Sequence, residues 1–143
     1  MARLAALAIA ATMVLSLLVS GLGAGPARAS GSITPTSFWL AQPDGGVLAV
    51  GQARTLGSAP GPLNQPVVGT TTTPDDGGYW LVASDGGMFS FGDATFFGSM
   101  GGKPLNQPIV GMASTPDGRG YWQVASDGGI FTFGDAGFYG SEG

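Results

Sequence analysis

The chain has 143 residues, with nine acidic and five basic residues, a net charge of −4, and neither cysteine nor histidine. The missing residue types exclude Ser-His-Asp and Cys-His nucleophile systems and zinc sites with histidine ligands. The scarcity of lysine and arginine argues against binding of nucleic acid or anionic lipid, which both select basic patches.

Residues 1–29 have the pattern of a secretory signal peptide. Arg3 provides a positive start, residues 4 to about 24 are apolar, and Ala27-Arg28-Ala29 is typical of a cleavage site. The apolar stretch is also long enough for an uncleaved membrane anchor, which is the alternative. We predict a cleaved signal-peptide helix and a protein that is secreted to the extracellular space or cell envelope, with no further membrane span in residues 30–143.

The rest of the chain contains a repeat of about 42 residues. Tyr79–Ser99 matches Tyr121–Ser141 at 16 of 21 positions, and the segment that begins at Pro62 matches the one that begins at Pro104 at 13 of 19. A degenerate copy begins at Phe38. Periodicity of this length is typical of repeat architectures. We predict one β-propeller-like repeat domain, residues 30–143, with units at residues 31–58, 67–99 and 109–141.

Each unit is predicted to contain four short antiparallel strands. In the third unit they are Ile109–Ser114, Tyr121–Ala125, Ile130–Phe133 and Gly137–Gly140. Aromatic and β-branched residues favour strands. The Asp127-Gly128 pair between the second and third strands predicts a hairpin, because the turn needs a residue with positive φ.

Four short strands per unit of about 42 residues are typical of a β-propeller blade. The second strand of the middle unit, Tyr79–Val82, is apolar on both faces, which indicates neighbours on both sides. Gln123 replaces Leu81 in the last copy, and we interpret it as the mark of a terminal unit with one face near water. We predict an all-β fold, a partial β-propeller of about three blades.

The repeat motifs resemble those of a known group of proteins. The patterns GYW-x-VASDGGIF-x-FGDA and PIVGMA-x-TPDG are similar to the tandem repeats of secreted actinobacterial proteins, which look like blades of the broad WD40/YVTN type. The resemblance is close over residues 67–141 and loose over residues 38–58. It implies a propeller-like repeat protein, but it transfers no activity and no catalytic residue.

Three blades are too few to close a ring, since propellers typically have about four to eight. The open ends would expose aromatic surface to water at a cost of ~25 cal/mol per Å². We therefore expect self-association, most simply a two-fold dimer with six blades. An open array and a fragment of a longer protein are the alternatives.

Two pairs of equivalent aspartates are candidate functional residues. Asp85 and Asp127 lie in Asp-Gly-Gly turns, which we expect their carboxylates to cap. Calcium binding is the alternative, but the closely spaced carboxylates that calcium prefers are missing. Asp93 and Asp135 lie at strand ends, where they either bind loop backbone or contribute to an acidic ring that binds a cation or a sugar hydroxyl.

The residues that we predict for ligand binding are Tyr79, Tyr121, Asp93 and Asp135. We expect the tyrosine hydroxyls to lie at an edge. The phenylalanines and tryptophans are expected to form the core between units, with a sugar-stacking platform as the alternative. The two PLNQP segments either line a repeated binding surface or set the register between units, and we favour the register.

Catalysis is not expected from these residues. Repeat-equivalent aspartates share one environment, so they do not provide the distinct acid and base that glycoside hydrolysis requires. We predict no catalytic residue, no metal and no cofactor. The sequence favours a secreted non-enzymatic module that binds a glycan or a protein at the cell envelope. The alternative is an accessory fragment of a secreted hydrolase system with weak or no activity of its own.

Overall fold

The computed structural model describes residues 37–143, so the predicted signal peptide lies outside the described residues. Among these residues no helix has the length and hydropathy needed to cross a membrane. The regular structure in this part of the chain consists of eight strands: β1 (Phe38–Ala41), β2 (Val47–Val50), β3 (Val67–Thr72), β4 (Gly78–Ala83), β5 (Met88–Gly92), β6 (Ile109–Ser114), β7 (Gly120–Ala125) and β8 (Ile130–Gly134).

The strands form three small antiparallel sheets, in the orders β1-β2, β3-β4-β5 and β6-β7-β8. The prediction of an all-β fold is confirmed for residues 37–143. The second and third sheets have the same register, because Tyr79 pairs with Phe91 in one and Tyr121 pairs with Phe133 in the other. Both also have a register shift in their first strand, directly before Gly69 and Gly111.

The Asp-Gly-Gly segments form hairpin loops, as predicted. In the second sheet Gly86 N–H donates to the Ala83 carbonyl, and Ala83 N–H donates to the Gly87 carbonyl, both at 2.9 Å. The residue with positive φ is Gly86, at 81°, and its equivalents Gly45 and Gly128 have 85° and 86°. This geometry is typical of a three-residue loop that ends in a left-handed glycine.

The predicted fourth strand, Gly137–Gly140, is not formed, and neither is its equivalent in the second unit. The reason is that side chains bind the backbone of this segment. The tryptophan of the second strand donates from Nε1 to this segment in both units, from Trp80 to the Thr95 carbonyl at 2.8 Å and from Trp122 to the Gly137 carbonyl at 2.7 Å. Each full unit therefore has three strands.

Neighbouring sheets pack through two apolar junctions at equivalent positions. At the first junction, between the first two sheets, Trp39 lies 5.4 Å from Tyr79 between ring centroids. At the second junction Trp80 lies 5.8 Å from Tyr121. The buried residues of the first are Ala41, Val67, Tyr79 and Leu81, and those of the second are Trp80, Val82, Ala94, Ile109, Tyr121 and Ala125.

Gln123 lies inside the second junction and not on a face near water. Its side chain is fully buried, and Nε2 donates to the Gly86 carbonyl of the preceding unit at 3.1 Å. Our interpretation of Gln123 as the mark of a water-facing end is therefore wrong. Alternate residues of a strand point to opposite faces, and Gln123 shares the face of Tyr121, which packs on the preceding sheet.

Candidate functional site

The aspartates of the hairpin loops cap their own turns. Asp85 Oδ1 accepts a hydrogen bond from Gly87 N–H at 2.9 Å, and Asp127 Oδ1 accepts one from Gly129 N–H at 3.0 Å. An aspartate that binds the backbone two residues later stabilises its turn. The structural role expected for Asp85 and Asp127 is therefore confirmed.

Asp93 fastens the end of β5 to the turn between β3 and β4. Its Oδ1 lies 3.0 Å from the Thr73 hydroxyl, which also lies 2.8 Å from Asp75 Oδ1 and accepts a hydrogen bond from Gly78 N–H at 2.9 Å. A hydroxyl has one proton, so Thr73 donates to one of these carboxylates at a time. The Asp93 N–H also donates to the Gly77 carbonyl at 3.2 Å.

Asp135 occupies the equivalent place at the end of β8. Its N–H donates to the Arg119 carbonyl at 3.1 Å, while Thr115 donates its hydroxyl proton to Asp117 at 2.8 Å. Hydrogen bonds from the Thr115 hydroxyl and the Arg119 N–H hold the pKa of Asp117 below its ordinary value. The same arrangement, with Thr73 as the main donor, lowers the pKa of Asp75.

These carboxylates do not gather into a metal site. Asp93 contacts Thr73 in the turn that contains Asp75, and Asp135 N–H binds the Arg119 carbonyl in the turn that contains Asp117, each within its own unit. In residues 37–143 no group of three or more acidic side chains is close enough to hold a metal ion. The described hydrogen bonds therefore give Asp93 and Asp135 a role in fastening each strand end to its turn.

The two tyrosines predicted for ligand binding lie inside the junctions. The Tyr79 hydroxyl donates to the Gly57 carbonyl and the Tyr121 hydroxyl donates to the Gly98 carbonyl, in each case in the preceding unit. Burial raises the pKa of both phenols above the ordinary value. Both side chains are buried, so their hydroxyls do not lie at an exposed edge. Ligand binding by the tyrosines, Asp93 and Asp135 stays a prediction.

A shallow, open groove of about 340 Å³, with polar and apolar lining, lies beside the second PLNQP segment. Its position is fixed by backbone hydrogen bonds, since Ser84 N–H donates to the Pro66 carbonyl and Ile109 N–H donates to the Ser84 carbonyl, both at 2.9 Å. These bonds hold the hairpin loop of the second unit between the two PLNQP segments. The groove is lined by Gln65, Ser84, Asp85, Lys103, Leu105, Asn106, Gln107 and Pro108.

The groove combines hydrogen-bond donors and acceptors of several kinds. Three amides, one hydroxyl, one carboxylate and one ammonium surround a single leucine. The turn uses Asp85 Oδ1, which leaves Asp85 Oδ2 for a ligand. No salt bridge within residues 37–143 engages Lys103. The volume is at the lower end of the range for small-molecule sites, and the lining combines polar groups with the apolar side chains of Leu105 and Pro108.

The ligand-binding candidates named from the sequence lie outside this groove. The identity of the PLNQP segments was the available signal, and the structure shows that the second segment contributes to the groove while its Pro108 carbonyl accepts a hydrogen bond from Ser126 N–H in the third hairpin. The contribution of Asp85 and Lys103 was not predicted, because they lie 18 positions apart in the chain. The segment after β5 returns to the second hairpin, since Met100 N–H donates to the Gly86 carbonyl and Lys103 N–H donates to the Met100 carbonyl.

The comparison with known proteins adds no assignment to this geometry. No model of a protein family matches the chain, and no curated protein matches it significantly. The resemblance to secreted actinobacterial repeat proteins stays a prediction from the repeat motif.

Proposed function

We propose that the chain is a secreted, non-enzymatic binding or scaffold module of the cell envelope, and that the groove beside the second PLNQP segment binds a glycan. The observation that carries this proposal is the set of amides, Asp85 and Lys103 around one groove. Amide and carboxylate groups together offer the alternating donors and acceptors that sugar hydroxyls need. A protein ligand is the alternative, and it would be favoured if no glycan bound in the experiment below.

The proposed architecture is a partial β-propeller of about three blades that a second copy completes. The first strands of neighbouring units support it, because Thr71 Oγ1 of β3 lies 3.1 Å from Ser114 Oγ of β6. Gly69 and Gly111 allow the same two strands to approach, and a Cβ on Gly69 would lie 3.6 Å from Gly111 Cα. Small residues on these strands are consistent with blades that converge toward a central axis.

The roles of the aspartates support a non-enzymatic module. Asp85 and Asp127 cap their turns, and Asp93 contacts the Thr73 hydroxyl. A general acid and a general base need different environments. Asp85 and Asp127 have the same hydrogen-bond partner, the glycine N–H two residues later, which favours a structural role over catalysis.

A glycan array followed by titration calorimetry tests the proposed ligand class. Asp85→Asn keeps an acceptor for Gly87 N–H but removes the charge from the groove, so it should weaken glycan binding at least about threefold. Asp127→Asn makes the same change in the third hairpin, which does not line the groove, and should leave affinity unchanged. Equal affinities for both variants and wild type would contradict the proposed site.

A second matched pair tests the PLNQP segments. Asn106→Ala should reduce binding, whereas Asn64→Ala changes the equivalent residue of the first segment outside the groove. A hydrolase panel provides the opposing outcome. Turnover that is lost in the double variant Asp93→Asn with Asp135→Asn would replace the binding module with an enzyme.

A further inference from the structure

Two sheet faces at opposite ends of the described chain have no neighbouring unit in residues 37–143. We call the first the N face, formed by Phe38, Leu40, Leu48 and Val50. We call the second the C face, formed by Trp122, Val124, Ile130, Tyr139 and Gly140. Strand register fixes these sets, because Phe38 pairs with Val50 and Leu40 pairs with Leu48, as Tyr79 pairs with Phe91 and Leu81 pairs with Phe89 in the next unit.

Each residue of the two faces has an equivalent that is covered at an internal junction. Tyr139 of the C face is 90% exposed. Its equivalent Phe97 packs at the second junction, where its ring centroid lies 5.7 Å from that of Tyr121. Leu48 of the N face is 54% exposed, whereas its equivalent Phe131 is half-buried. The two open faces therefore carry apolar side chains at positions that contact another unit elsewhere in the same chain.

Gly140 has the backbone conformation of the glycines at the internal junctions, although no unit in residues 37–143 packs against it. Its φ is 123°, close to the 131° and 130° of the equivalent Gly57 and Gly98. At those two glycines a Cβ would lie 2.8 Å from a phenylalanine ring of the next unit, Phe91 or Phe133. At Gly140 no atom lies within 4 Å of that position. The glycine and its carbonyl are thus arranged for a neighbouring unit that the described residues do not supply.

We propose that the C face of one copy binds the N face of a second copy and repeats the internal junction. Two such contacts close a ring of two copies and six units. This inference rests on the self-association included in the proposed function, and it names the two faces and their polarity. The two open faces continue the internal junctions, where the same positions already hold two units together.

The N face differs from the equivalent faces of the second and third units in that Leu48 and Val50 replace phenylalanines and Phe38 replaces a tyrosine. Tyr79 and Tyr121 donate their hydroxyls to a glycine carbonyl, but the equivalent residue Phe38 has no hydroxyl to donate to Gly140. The contact between copies therefore lacks one hydrogen bond that each internal junction has. This makes it weaker than an internal junction, and it predicts reversible association.

The first test is the mass of residues 30–143 in solution, by sedimentation and light scattering. Wild type should have twice the monomer mass, and Tyr139→Glu should be a folded monomer. Phe138→Glu is the matched control, because Phe138 is adjacent and 61% exposed, while its equivalent Phe96 remains 56% exposed even at an occupied junction. The control should still form dimers.

Mixing two variants tests the polarity of the contact. Leu48→Glu damages the N face and should also give monomers. A mixture of Tyr139→Glu and Leu48→Glu retains one intact N face and one intact C face, so it should form a heterodimer. Two copies that met through identical faces would not be rescued by mixing, and that result would overturn the head-to-tail arrangement.

Phe38→Tyr adds the missing hydroxyl and gives a test by gain of affinity. One net hydrogen bond should lower the dissociation constant roughly threefold to tenfold for each contact. The same substitution in the Tyr139→Glu variant should leave that variant monomeric. A cooperatively folded wild-type monomer at about 100 µM would overturn the inference. An open array, or a fragment that needs further repeats, would give that outcome. Glycan binding that survives in such a monomer would leave the groove proposal standing.

Discussion

The two internal junctions use the same positions, but they differ at one buried residue. Leu81 of the first junction lies in an apolar cluster with Ala41, Val67 and Tyr79. Gln123 of the second junction is equally buried, donates to the Gly86 carbonyl, and has no partner for its Oε1 atom. An unpaired buried acceptor costs about 1–3 kcal/mol.

The second junction has two features that offset this cost. Trp80 is fully buried there, whereas its equivalent Trp39 is half-buried at the first junction. The Tyr121 hydroxyl also has two partners, since it donates to the Gly98 carbonyl and accepts from Phe97 N–H at 3.0 Å. The difference shows that the repeat preserves the tyrosine-to-carbonyl bond while the apolar packing around it varies.

The largest effect is expected for truncation of the junction tryptophans. Trp80→Ala should reduce the free energy of unfolding by about 3–5 kcal/mol, as is usual for a fully buried aromatic residue. Trp39→Ala should cost less, because Trp39 is only half-buried. Both tryptophans donate from Nε1 to a carbonyl at 2.8 Å, so the two variants lose the same kind of hydrogen bond. The difference between their losses of unfolding free energy therefore reports the difference in burial. Urea denaturation measures both, and equal losses would contradict the comparison.

Removal of the tyrosine hydroxyls should have the next largest effect. Tyr121→Phe leaves the Gly98 carbonyl and the Phe97 N–H without this partner, and should cost about 1–3 kcal/mol. Tyr79→Phe removes one hydrogen bond, to the Gly57 carbonyl, and should cost about 0.5–1.5 kcal/mol. Thermal and urea unfolding of the two variants should preserve this order. The reverse order would show that the bond to Phe97 contributes nothing.

Replacement of the buried glutamine should stabilise the protein. Gln123→Leu removes the unpaired Oε1 atom and should raise the free energy of unfolding by about 1–2 kcal/mol. The Gly86 carbonyl keeps its hydrogen bond from Met100 N–H at 3.1 Å, so it does not lose its only partner. The reciprocal control, Leu81→Gln, should destabilise the first junction. A destabilised Gln123→Leu variant would show that the amide stabilises the second junction.

The smallest effect is expected at acidic pH, where the two full units should behave alike. Hydrogen bonds from the threonine hydroxyls lower the pKa of Asp75 and Asp117 below the model-compound value of 3.8. A lowered pKa contributes stability that is present above pH 3.8 and is lost as the pH falls through the folded-state value. Asp75→Asn and Asp117→Asn should each flatten the acid limb of the stability curve, measured by unfolding between about pH 5 and pH 2.

Much of the repeat architecture was predictable because it depends on local sequence patterns. The 42-residue period, the strands around Tyr79 and Tyr121, and the Asp-Gly-Gly hairpins depend on residues that are close in the chain. Turn chemistry and strand propensity act over a few residues, so a single sequence reports them well. The aromatic contacts between units were also predicted from the sequence, because a strand that is apolar on both faces needs a neighbour on each side.

The errors lie where residues that are not neighbours in the chain come into contact. The missing fourth strand depends on hydrogen bonds from Trp80 and Trp122 to the segments after β5 and β8, and no local pattern distinguishes this from strand pairing. Gln123 was assigned to the wrong side because its polarity suggested water, whereas the strand register places it against Gly86. The groove was missed for the same reason, since its lining comes from the second hairpin and from the segments before and after the second unit.

The two PLNQP segments have identical sequences 42 residues apart, and each precedes a unit that packs on the one before it. Recombination between the two coding segments would therefore remove or add one complete unit without creating a new kind of boundary. After such a deletion Trp39 would face Tyr121, and the Gly57 carbonyl would receive the Tyr121 hydroxyl. The fold of this protein can thus lengthen or shorten in whole units while every junction keeps its hydrogen bond.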